Sequence, residues 1–298
     1  MKSLLKKSKT MIFFILAIIT LLFILLPVGE TTTNLSEALI YFPEDDKLTF
    51  IESNSNVKLL ELKDENEYIL EWSFDSLTDE QVYLRQDISL LFENGVLVDL
   101  MNHSEMNADK VIGDKQYYGE DSGKHEMITL HYAEVHHSDE VIKSKRIITS
   151  DLLYIIDSPL SPIMTFKKPS TTMESRSKDL LDSIIDQQLS YIYDGLIKEF
   201  NIDKSQYEEI PFTEIVKYND DVLPSFSKEE TSEIVGRLWE GLYRNYVLGI
   251  NTFNDKEYDP IGNSLPLVLL HKGGGHLMVL FETADGTKQQ LYQLIESH

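Results

Sequence analysis

Residues 82–101 read VYLRQDISLLFENGVLVDLM, two apolar runs separated by Asn94-Gly95. An Asn-Gly pair between apolar runs is the strongest short-range signal of a β-hairpin, because both central residues of its tight turn need positive φ. The sequence therefore predicts an antiparallel hairpin with one strand over Val82–Phe92 and the next over Val96–Met101.

Further short apolar runs flank this hairpin and predict a β-rich half over residues 47–170. Asp121-Ser122-Gly123 spells the triplet of aspartic proteases, but no second copy supplies the paired aspartate that this chemistry needs, so we predict a turn. The additional strands are expected at Lys47–Glu52, Val57–Lys63, Tyr68–Phe74, Glu126–Val135, Lys145–Ile156 and Ile163–Phe166.

The apolar spacing changes to a helical period after residue 170. Leu180, Ile184 and other apolar residues recur at i, i+3 and i+4 for about six turns, and Thr171 with Glu174 fits a capping box at the start. A second capping box at Ser227 announces another helix, with Ile234, Leu238, Leu242 and Tyr246 on its apolar face. A short helical turn is expected at residues 211–217.

The C-terminal segment returns to a strand pattern. Leu267–His271, His276–Glu282 and Lys288–Ile295 are separated by turns rich in glycine, which predicts a three-stranded meander. We therefore expect an α+β fold, in which an antiparallel β-rich half is followed by a helical half closed by a C-terminal β-meander. Residues 47–170 and 171–298 are either two subdomains or one domain.

The N-terminal region predicts a membrane anchor. Residues 10–29 carry no charge, and as a helix they would span roughly 30 Å, the thickness of a bilayer core. Four lysines precede them, which places residues 1–9 in the cytoplasm and the rest of the chain outside. Residues 1–29 are thus expected to be a cytoplasmic tip and a transmembrane signal-anchor, and residues 30–46 an exit linker. The alternative is a signal peptide cleaved near residue 29, which would give a secreted protein.

Composition excludes several classes of partner and chemistry. The chain has no cysteine, which rules out disulfides, thiol nucleophiles and thiolate metal sites. Its net charge is −23, and residues 30–298 alone carry −27, because four of the 27 basic residues precede residue 10. Such an acidic domain repels phosphate polymers, so nucleic-acid binding is not expected.

Three alternating carboxylates, Asp255, Glu257 and Asp259, are the best candidates for a metal site. A calcium loop of the EF-hand type needs glycine at its sixth position and glutamate at its twelfth. Those positions hold Pro260 and Pro266, so an acidic connector is the simpler interpretation. No cofactor is expected, and calcium is kept as an alternative.

An aromatic and basic cluster is the best candidate for a partner surface. Trp239, Tyr243, Arg244 and Tyr246 lie close together in the second predicted helix and just after it, and Trp, Tyr and Arg are enriched in interface hot spots. At helical spacing such aromatic rings more often belong to the core, and the partner surface is kept as the alternative.

No reaction motif is present in the sequence. We therefore expect a single-pass membrane protein whose acidic extracytoplasmic domain is a non-enzymatic module that binds a protein of the cell envelope. Two alternatives stay open: an envelope hydrolase that uses paired carboxylates, and a cation-responsive sensor.

Overall fold

The computed structural model describes residues 39–62, 67–138, 140–158, 161–250 and 258–296, which all lie in one compact unit. Over these ranges the fold is mixed α+β, with a strongly curved antiparallel sheet, a second small sheet and few helices. The predicted anchor, residues 10–29, lies outside the described residues. Within the described part of the chain, no helix combines the length and apolar character needed to cross a bilayer.

The predicted hairpin is confirmed and is much longer than the sequence indicated. Asn94 and Gly95 have φ of 51° and 80°, and Glu93 pairs directly with Val96. The first strand, β2, covers Glu67–Glu93, and the second, β3, covers Val96–Glu120. A turn at Asp121 and Ser122 leads into the next strand, as the sequence predicted.

The first sheet has six strands in the order β1-β2-β4-β5-β6, with β3 on the other side of β2. The division into Lys47–Glu52 and Val57–Lys63 was wrong, because Ser53–Asn56 continue the pairing with β2. A polar residue at position 55 fits within the strand because its hydroxyl contacts Thr129 and Thr149 of the same sheet. The remaining strands are β1 (Phe50–Leu62), β4 (Gly123–His136), β5 (Ile142–Ser158) and β6 (Ser161–Phe166).

The sheet curls into a half-barrel because β1 folds over the face of β4 and β5. The Ser55 hydroxyl lies 2.7 Å from Thr129 Oγ1 and 2.6 Å from Thr149 Oγ1. The Val57 N–H donates to the Asp151 carboxylate at 2.8 Å. Inside the curl lies an apolar cluster that includes Trp72 and other buried side chains of β2, β4 and β5.

The second sheet has four strands in the order β10-β9-β8-β7. The predicted C-terminal meander is confirmed, and β7, which the sequence did not indicate, adds a fourth strand beside β8. The strands are β7 (Tyr207–Pro211), β8 (Leu267–His271), β9 (His276–Glu282) and β10 (Lys288–Leu294).

Both predicted helices are present, and both begin at the predicted capping boxes. Helix α1 covers Thr172–Glu199, and helix α2 covers Lys228–Leu242 and continues as a π-helical turn over Tyr243–Val247. Two 3₁₀ segments, Lys204–Gln206 and Phe212–Asn219, lie between them. The main core joins α2, the outer face of the half-barrel and one face of the second sheet.

Residues 39–46, which the sequence assigned to an exit linker, pack on the folded unit. Leu39 is buried in the main core, and Glu44 pairs with Ser144 in a short parallel bridge. The Tyr132 hydroxyl donates to the Ile40 carbonyl at 2.9 Å. This segment therefore lies against α2 and β5 rather than apart from them.

Candidate partner-binding groove

A concave surface lies between α2 and β10, the edge strand of the second sheet. It encloses about 700 Å³. Its apolar lining comes from Ile234 and Leu238 of α2 and from Leu291 and Ile295 in and after β10. Pockets of this size are within the ordinary range of ligand-binding clefts.

Glycine widens the groove at the end of α2. A Cβ built on Gly241 has no neighbouring atom within 4 Å, so the helix surface is open there. The Gln293 side-chain amide donates to the Ile234 carbonyl at 3.1 Å and joins β10 to α2. The groove therefore has a fixed floor and an unfilled position in its helical wall.

One edge of the groove is the backbone of β10. In the described residues β10 pairs with β9 alone. The Thr283 N–H donates to the Thr287 carbonyl, and the Ile295 N–H donates to the Gly275 carbonyl. The odd-numbered residues of β10 therefore direct their backbone N–H and C=O groups towards β9. The even-numbered residues Gln290, Tyr292 and Leu294 consequently direct their N–H and C=O groups away from β9.

Charge around the groove is mixed with an acidic excess. Four carboxylates line it, those of Glu230, Glu233, Glu240 and Glu296, against the guanidinium groups of Arg237 and Arg244. Arg237 Nε donates to Glu233 at 2.9 Å, and Glu240 accepts from the Tyr41 N–H at 3.3 Å. The surroundings therefore favour a cationic ligand over an anionic one.

The structure separates the predicted aromatic cluster into core and surface. Trp239, Tyr243 and Tyr246 are buried in the main core, where the Tyr243 hydroxyl accepts from the Asn102 amide at 2.9 Å. Arg244 is exposed and lies on the groove wall. Of these four residues only Arg244 has an exposed side chain, and its role in partner binding stays a prediction.

The structure does not assemble a metal site from the sequence candidates. Asp255 and Glu257 lie outside the described residues, and the Asp259 carboxylate accepts from the Ile261 N–H at 3.0 Å. Within the described ranges, no three His, Asp or Glu side chains are grouped to hold one ion.

A buried polar relay, which the sequence did not reveal, lies inside the half-barrel. Asp87 and His131 face each other across β2 and β4, with Oδ2 and Nδ1 2.6 Å apart. His131 Nε2 lies 2.8 Å from the Thr149 hydroxyl, and that hydroxyl lies 2.6 Å from the Ser55 hydroxyl. Asp87 also accepts from Ser76 at 2.6 Å, and the buried Arg85 lies 3.6 Å from Asp87.

The distances between Asp87, His131 and Thr149 are those of a catalytic triad with Thr149 as the nucleophile. However, the Thr149 hydroxyl already contacts Ser55 of the overlying strand β1. A triad needs a hydroxyl open to an acyl group and donors aimed at the developing oxyanion. The relay instead connects β1, β2, β4 and β5 in one network, so we assign it the structural role of holding the curl of the sheet.

A second buried group lies at the other end of the half-barrel. His125 Nε2 is 3.0 Å from the Tyr68 hydroxyl, and Tyr117 donates to Glu93 at 2.7 Å. Burial lowers the pKa of His125 to about 3 and raises the pKa of Glu93 above its usual range. His125 is therefore neutral at physiological pH.

Comparison of the chain with protein-family models, curated proteins and solved structures finds no match. The function proposed below therefore rests on the groove and on the sequence.

Proposed function

We propose that this protein is a membrane-tethered, non-enzymatic module that binds an extended segment of a cell-envelope protein in the groove between α2 and β10. The observation that carries this proposal is the coincidence of an open strand edge with an apolar groove. Addition of a peptide strand to a sheet edge is a common mode of recognition, in which backbone hydrogen bonds give affinity and side-chain pockets give specificity.

The geometry of β10 favours this mode. A fifth strand would lie about 4.8 Å from β10 and pair with the outward N–H and C=O groups of Gln290, Tyr292 and Leu294. Alternate side chains of the bound strand would point into the groove towards Ile234 and Leu238. The intervening side chains would meet Tyr292 and Leu294, which are exposed on the opposite face.

Charge selects the kind of segment. Four carboxylates around the groove and the net charge of −23 attract cationic chains and repel anionic ones. A segment in which Lys or Arg alternates with apolar residues suits both the charge and the two-residue period of a strand.

Residues 10–29 support the tethered, extracytoplasmic placement, since they are uncharged over the length of a bilayer and follow four lysines. Labelling of a cysteine introduced at an exposed position, such as Tyr118, tests this placement, because the chain has no other thiol. A membrane-impermeant maleimide should label it in intact cells. If the cysteine reacts only after lysis, the extracytoplasmic placement is wrong.

The binding proposal is tested with nine-residue peptides selected from a random display library against the full chain in nanodiscs. We expect basic peptides of alternating polarity, whose binding slows hydrogen exchange at the amides of Gln290, Tyr292 and Leu294. N-methylation of alternate peptide amides should abolish binding, because it removes the donors that pair with β10.

The matched variants are Gly241→Leu, which fills the groove wall, and Gly275→Leu, which adds the same side chain at an open glycine outside the groove. Gly241→Leu should weaken peptide binding at least tenfold, and Gly275→Leu should leave it within about twofold. Selection of acidic peptides, or protection of amides elsewhere in the chain, would contradict the proposal.

A further inference from the structure

Helix α1 carries an exposed apolar stripe along most of its length. Met173, Leu180, Ile184 and Tyr191 retain 55%, 65%, 44% and 84% of their accessible surface. At 100° per residue these four positions lie within about 20° of one line along the helix, which spans roughly 27 Å. The opposite side of α1 packs on the second sheet through Leu196 and its neighbours.

The stripe is uncharged in a strongly charged protein. Between Leu180 and Tyr191, the residues that flank it are Ser183, Gln187 and Gln188, whereas Asp182 and Asp186 lie on the other side of the helix. Asp182 is held there, since its carboxylate accepts from the Tyr154 hydroxyl at 2.9 Å. A second molecule of the same charge can therefore approach the stripe without meeting like charges at its centre.

The intervals between the apolar residues of the stripe are the same whether they are counted from the N-terminal or the C-terminal end of α1. Its apolar residues follow one another at intervals of seven, four and seven. When two copies of α1 are placed antiparallel about a two-fold axis near residue 182, Leu180 meets Ile184 of the other copy and Met173 meets Tyr191. A surface that matches itself under a two-fold rotation is what an isologous dimer requires.

We propose that two copies of this protein associate through antiparallel packing of their α1 helices along this stripe. The helices would pack 8–10 Å apart, as helix pairs in proteins do. A contact limited to one helix per copy lies at the small end of specific interfaces, so the dimer is in concentration-dependent exchange with the monomer. The stripe is separate from the groove, and each copy keeps its groove free.

Cross-linking tests the pairing and its direction. Ser177 and Gln187 flank the stripe at equal distances from the axis, so Ser177→Cys in one copy should cross-link to Gln187→Cys in another through a short bismaleimide. Full chains in detergent, each carrying one of these cysteines, should form the mixed species when combined. Tyr191→Cys alone should not cross-link, because antiparallel pairing places the two copies of residue 191 about 27 Å apart.

Sedimentation of the full chain in density-matched detergent tests whether the stripe on α1 forms the dimer interface. The wild-type chain should show a concentration-dependent dimer that Leu180→Glu with Ile184→Glu abolishes, and Ile112→Glu, at a residue 53% exposed on β3, should leave it intact. Unchanged thermal unfolding would show that the variants are folded. A monomer at all concentrations, a dimer that survives the double substitution, or cross-linking of Tyr191→Cys alone would overturn the proposal.

Discussion

Replacement of Asp87 by asparagine should destabilise the protein more than any surface charge substitution. Arg85 and Asp87 are both fully buried, and Asp87 also accepts hydrogen bonds from Ser76 and lies against His131. Removal of one partner of a buried ion pair leaves the other charge unpaired and costs about 3–5 kcal/mol. For a domain of this size that corresponds to a fall in Tm of roughly 6–20 °C.

Urea unfolding of the full chain in detergent, followed by tryptophan fluorescence, measures this loss. Trp72 lies inside the half-barrel and Trp239 in the main core, so the two buried rings report on both regions. The control is Asp99→Asn, which removes an exposed pair with Lys115 and should cost less than about 1 kcal/mol.

A second variant separates the unpaired charge from lost packing. Arg85→Met combined with Asp87→Leu removes both charges, so it should be more stable than Asp87→Leu alone. If Asp87→Asn costs less than about 1 kcal/mol, or if the double variant is the less stable of the two, the buried relay does not hold the sheet as argued.

Three further predictions concern local features. The pKa of His125 is about 3 in the folded protein, against about 6.5 for an unfolded histidine, so between these values the unfolded state binds more protons and stability falls as the pH drops. Replacement of this residue, His125→Gln, should lessen the fall in the urea midpoint between pH 7 and pH 4. An equal fall in the variant and the wild type would refute the buried, neutral state of His125. Gly119→Ala should cost about 1–3 kcal/mol, because the new methyl would lie 2.4 Å from the Tyr68 ring, whereas Gly275→Ala at an open position should cost much less in the same urea assay. Thr171→Ala should cost about 1 kcal/mol by removing the N-cap of α1, and no change in thermal unfolding would contradict this role.

Signals between residues close together in the sequence correctly predicted the hairpin turn and the starts of both helices. The turn at Asn94-Gly95 and both capping boxes depend on residues adjacent in sequence, and the structure confirms each of them. The lengths of β1 and β3 were missed because their polar residues suggested loops. Ser55 is polar because it faces Thr129 and Thr149, a contact between residues far apart in sequence.

The groove and the relay were missed for the same physical reason. Asp87 meets His131 only because β2 and β4 pair in one register, and no local pattern encodes that register. Leu238 and Leu291 form one groove only when α2 lies beside β10. Helical spacing alone does not show which face of α2 is buried, so the sequence left its aromatic residues open between core and partner surface; the structure places Trp239 in the core.

Photo-cross-linking in intact cells tests the central claim most directly. A benzophenone amino acid replaces Leu294, which is 71% exposed at the open edge of β10. We predict a covalent adduct with an envelope protein that disappears when Gly241→Leu fills the groove and persists with Gly275→Leu. The absence of an adduct, or an adduct of equal yield in the Gly241→Leu chain, would contradict binding at this groove.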